Sequence, residues 1–157
     1  MPEATHEIDV ISTLDLPGCV CHSVAFGDRY RIVALGEEGV HTAHINYDGW
    51  HGVPVWEIGQ HIPLDGYCET VGISEVGTVP IKVFVGTSGG GCHILEFRNY
   101  NLSDLHATGD YFRVGTGSTF AAEQDKRGNM IVCAGSPAGQ GQLVIGRLVG
   151  IPPARRG

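Results

Sequence analysis

One short pattern occurs three times in this chain and limits what it can fold into. Tyr30-Arg31-Ile32-Val33-Ala34-Leu35-Gly36, Pro80-Ile81-Lys82-Val83-Phe84-Val85-Gly86 and Asn129-Met130-Ile131-Val132-Cys133-Ala134-Gly135 are each an apolar run closed by glycine. The closing glycines fall 50 and 49 residues apart. A turn glycine opens each unit (Gly18, Gly66, Gly117), and a second apolar run follows each closing glycine at Gly39-Val40-His41, Gly91-Cys92-His93 and Gly141-Gln142-Leu143. Repetition at such a period signals one supersecondary unit copied along the chain.

Each unit divides into four strand candidates. In the first they are Cys19 to Phe26, Tyr30 to Leu35, Val40 to Tyr47 and Val53 to Ile58, joined by the turn-rich segments Gly27-Asp28, Gly36-Glu37-Glu38-Gly39 and Asp48-Gly49. Asp-Gly suits a hairpin because both central residues of a type I′ turn need positive φ. The repeated runs are apolar almost throughout, as strands buried on both faces are. No segment carries a capped helical period. The expected fold is all-β: a single domain over 1–157 with three four-stranded antiparallel repeats of about 50 residues, at 15–62, 63–113 and 114–151, and a flexible tail at 152–157.

Four antiparallel strands repeated at this period resemble the blades of β-propeller proteins. Asn46-Tyr47-Asp48-Gly49-Trp50 is also similar to a segment of propeller lectins, in which aromatic residues follow a turn. The resemblance implies a three-blade array. Its last unit is one strand short, because Ile151-Pro152-Pro153-Ala154-Arg155-Arg156 cannot form a ladder. Residues 7–14, Glu7 to Leu14, supply a spare strand ahead of the first unit and are expected to complete the last blade. Three blades leave two open sides. The expectation is a homodimer of six blades in which each N-terminal strand closes the partner's third blade. The alternative is one chain closed on itself.

The chemistry points to binding rather than catalysis. The net charge of −7, with 10 lysines and arginines, argues against nucleic acid. No apolar run reaches membrane-spanning length. The polar, acidic start lacks a signal-peptide pattern, so a cytoplasmic setting is expected, with a virion as the other possibility. Five cysteines without an export signal read as reduced thiols. Cys19-Val20-Cys21-His22 lacks a second ligand pair, so its thiols are expected to pack as small apolar residues, and no cofactor is expected. Gly86-Thr87-Ser88-Gly89-Gly90-Gly91 lacks the lysine of a phosphate loop and reads as a turn.

Tyr47, Asp48, Trp50 and Glu57 group aromatic faces with carboxylates, which suits a sugar's mixed C–H and hydroxyl surface. They are the expected ligand set for a carbohydrate or protein ligand at a groove between blades. His41 and His93 hold equivalent places in two units and are candidate metal ligands near a central axis, although the third unit has Leu143 there. His41 and His44 should point to opposite strand faces. Two further readings stand beside the binding module: a structural subunit of a virion or tail, and a metal-dependent enzyme with an axial histidine cluster.

Overall fold

The computed structural model describes residues 3–47, 52–99, 104–115, 118–135 and 139–152. Eleven strands and no helix are found among them. The first sheet holds β1 (His22–Phe26), β2 (Tyr30–Ala34), β3 (Val40–Tyr47) and β4 (Pro54–Ile62). The second holds β5 (Cys68–Ile73), β6 (Ile81–Thr87), β7 (Cys92–Phe97) and β8 (Leu105–Phe112). The third holds β9 (Thr119–Gln124), β10 (Met130–Gly135) and β11 (Gly141–Gly146). Each sheet is an antiparallel meander in chain order, four strands in the first two and three in the last.

The repeat is visible in detail. Leu35 N–H bonds Gly39 C=O at 2.9 Å, and Thr87 N–H bonds Gly91 C=O at 3.1 Å. Register shifts interrupt β3–β4 between His41 and Ala43, and β7–β8 between His93 and Leu95. A side chain at Gly39 would strike Ile62 C=O, and one at Gly91 would strike Phe112 C=O. Both glycines let the neighbouring strand pass close to the hairpin.

The sheets stack in sequence. Ile32, Ala34 and Val40 pack with Val71, Val83 and Leu95 between the first and second sheets. Phe84 and Ile94 pack with Ala122, Met130 and Val132 between the second and third. Position in the stack explains the strand patterns. β6 has sheets on both sides and buries nearly every residue, whereas β10 alternates, with Cys133 exposed. The first strands of the sheets lie side by side. Gly36 and Cys68 exchange two backbone bonds, Val71 N–H donates to His22 Nδ1, and Ser74 bridges in parallel to Gln124. Neither a barrel nor a closed propeller ring forms within the described chain.

Residues 7–14 are not a strand, and they leave the third sheet at three strands. This corrects two expectations, a strand at residues 7–14 and a fourth strand in the third repeat. Within the segment Ser12 bonds the first sheet at Trp56 N–H, while Ile8, Val10 and Ile11 stay exposed. Residues 11–18 alternate between exposed and half-buried, with Ser12, Leu14, Leu16 and Gly18 the half-buried set.

Candidate functional site

The stack ends in two unlike faces. At the first sheet, Ser12 Oγ accepts a hydrogen bond from Trp56 N–H at 3.2 Å. Gly18 fits closely against Leu35 C=O and Glu38. The rest of the arm projects past Ile45 and Trp56, and Ile8 is 86% exposed, with Val10 and Ile11 also in solvent. The Ser12–Trp56 contact has a counterpart one repeat on. Gln60 of β4 bonds both Leu105 N–H, at 2.8 Å, and Leu105 C=O, at 3.1 Å, on β8 of the next sheet. Ser12 to Gln60 is 48 residues, and Trp56 to Leu105 is 49. Leu14 and Leu16 likewise match Ile62 and Leu64, which pack on the core between the first two sheets. The arm therefore stands to the first sheet as β4 stands to the second.

At the other end, β11 has β10 on one side and, among the described residues, no strand on the other. Cys133 pairs with Leu143 and Ile131 with Ile145, so these four share the outer face. Leu143 is 76% and Ile145 71% exposed. An unpaired edge beside an apolar face is a template for another strand.

Two of the expected ligand residues, Tyr47 and Glu57, fall on β3 and β4 of the first sheet. Glu57 pairs with His44 Nε2 at 2.9 Å and accepts a hydrogen bond from Asn46 Nδ2 at 2.8 Å. The Arg29 guanidinium lies 5.3 Å from the Tyr47 ring centre. Asp48 and Trp50 lie outside the described residues. Trp56 is half-buried beside the arm.

His41 and His44 do point apart: His44 meets Glu57 and the Tyr30 ring, whereas His41 stacks on His61 with ring centres 5.7 Å apart. His93 holds the matching place in β7, edge-on to Tyr111 at 5.3 Å, with Nε2 2.7 Å from Asp65 C=O. Both histidines sit on the third strand of their sheets, each with its own ring partner. Among the described residues no group of three His, Cys, Asp or Glu side chains could hold a metal ion. A cleft of about 750 Å³ adjoins His93, lined in part by Asp65, Ser88, Asp110 and Tyr111. Burial raises the Tyr111 phenol's pKa, but bonds with Gly91 N–H and Arg113 outweigh it, and the pKa is lowered.

The thiols divide. Cys68 and Cys92 are buried, and burial pushes their pKa values up to about 11 and about 12. Cys19 and Cys21 are exposed rather than packed as expected, because the chain before β1 runs outside the sheet. Tyr67 meets Cys21 across 46 residues, which no local pattern announces. No family model, curated protein or solved structure matches the chain.

Proposed function

We propose that this protein is a non-enzymatic, self-associating binding module of β-propeller type. Two copies supply six sheets, and each N-terminal arm adds the missing fourth strand to its partner's third sheet. The observation that carries this reading is the repeated contact: Ser12–Trp56 reproduces Gln60–Leu105 one repeat earlier. An arm held in the place of a preceding sheet's fourth strand needs a preceding sheet with a free third strand. β11 is such a strand. Covering Leu143 and Ile145 would contribute about 1.5–3 kcal/mol each.

Light scattering on a sizing column tests the assembly. The expected mass is twice the chain's 16.7 kDa. Deleting residues 1–11, or combining Leu143→Asp with Ile145→Asp, should return a folded monomer. A wild-type monomer at tens of micromolar would overturn the reading. The two complementary surfaces lie at opposite ends of the stack, so the contact is head-to-tail, and such contacts either close into rings or extend. Species much larger than a dimer would favour the structural-subunit reading.

The ligand we assign is a carbohydrate at the hairpin end of the first sheet, near Tyr47 and Glu57. A glycan array with Trp50→Ala as control tests it. Binding lost in that variant supports the site, and silence across the array removes the carbohydrate.

A further inference from the structure

We propose that Cys19 and Cys21 form a redox-active dithiol that peroxide closes to a disulfide, with Tyr67 as its positioning residue. The inference is independent of the assembly above.

The two thiols differ from the other three in this chain. Cys68 and Cys92 are buried and hard to ionise. Cys133 is exposed, on the outer face of the third sheet. Cys19 and Cys21 are both exposed and stand two residues apart, with Cys21 turned back on Cys19's own carbonyl. Cys21 N–H is pinned to Ala34 C=O at 2.9 Å, which fixes its backbone at the head of β1. Its sulfur turns back to 3.5 Å from Cys19 C=O and lies 3.7 Å from the Tyr67 hydroxyl oxygen. The thiols, Cys21 first and Cys19 less, push the Tyr67 pKa up to about 12. The phenol ring packs on Gly36, where there is no side chain to displace it. A phenol held neutral at physiological pH donates to a thiolate, and the thiolate is the nucleophile.

Residues two apart in extended chain are roughly 6.6 Å apart at Cα, near the upper limit for a disulfide. The bond is therefore reachable but strained, and it closes too small a ring to stabilise the fold. Strained, exposed disulfides are the reducible ones. That makes this pair a reversible site rather than a staple.

The chemistry balances. One thiolate attacks a peroxide oxygen; an S–O bond forms, the O–O bond breaks and hydroxide leaves as water after taking a proton. The second thiolate attacks the sulfenic sulfur; the S–S bond forms, the S–O bond breaks and a second water leaves. Two electrons pass from the sulfurs to the peroxide.

The test treats the whole protein with hydrogen peroxide, unfolds it, alkylates the remaining thiols and maps the peptides. The expected result is an internal disulfide in the peptide carrying Cys19 and Cys21, reversed by a glutathione buffer, with Cys68 and Cys92 alkylated. Cys21→Ser should abolish it and leave Cys19 without an internal partner. Tyr67→Phe should slow closure several-fold and change the pH dependence of its rate, which loss of packing alone would not do. Alkylation of both Cys19 and Cys21 after a dose that fully oxidises a parallel sample of free cysteine would overturn the proposal. An unchanged closure rate and pH profile in Tyr67→Phe would remove the tyrosine's role.

Discussion

Asp125 shows how single side chains hold the repeat's turns. Its Oδ1 accepts hydrogen bonds from Asn129 N–H and Arg127 N–H, each at 2.9 Å, and its Oδ2 accepts one from Asn129 Nδ2 at 3.1 Å. The Asn129 backbone bond is the main cause that lowers its pKa below the ordinary 3.8. A lowered folded pKa means stability that is present above the unfolded value and lost as pH falls through the folded one. Asp125→Asn should therefore melt below wild type at pH 7, and the gap should shrink as pH drops below 3.8, read by thermal denaturation across an acid series. Gly72 is a different constraint: a methyl there would strike Ala122 C=O on the next sheet. Gly72→Ala should cost on the order of 2 kcal/mol by overpacking, measured by urea unfolding. At this scale the sequence was only partly readable. His41 and His44 could be told apart by strand alternation. The exposure of Cys19 and Cys21, and the meeting of Cys21 with Tyr67, could not, because that contact joins positions distant in the chain.

Among elements, the strands were the most legible part of the fold. The apolar runs closed by Gly36, Gly86 and Gly135 became β2, β6 and β10, since a strand at the middle of a sheet needs apolar residues on its covered faces. Residues 7–14 misled, because alternation such as Ile8, Val10 marks a chain able to join a sheet, not one that has joined it. Two contacts on neighbouring sheets test the parallel between arm and β4. Gln60→Ala strands Leu105 N–H and C=O and should cost about 1–3 kcal/mol in urea unfolding. Ser12→Ala removes one bond and should cost about 0.5–1.5 kcal/mol, with faster proteolysis of the arm. Equal resistance of the arm in wild type and variant would show that Ser12 does not hold it.

For the whole molecule, the repeat period announced three sheets, and the stack's two distinct cores agree with it. What lies beyond the ends was not legible, because relations between chains leave no periodic trace. If the arm of one copy adds to β11 of another, Cys133 moves from solvent to an interface. Thiol labelling should then be slow at Cys133 in wild type and fast in the combined Leu143→Asp and Ile145→Asp variant. Equal rates would count against the assembly.

The closeness of β5 and β6 to β9 has a consequence far from any chain end. Gly72 and Gly86 admit the carbonyls of Ala122 and Phe120 to distances that no side chain allows. They set how closely the second and third sheets approach, and a change in that approach alters the wedge the two sheets make. In a head-to-tail assembly every copy repeats that wedge, so a small change in it accumulates around the circuit. Stoichiometry would then be governed by two interior glycines: a wider wedge closes the circuit with fewer copies, and a narrower one needs more.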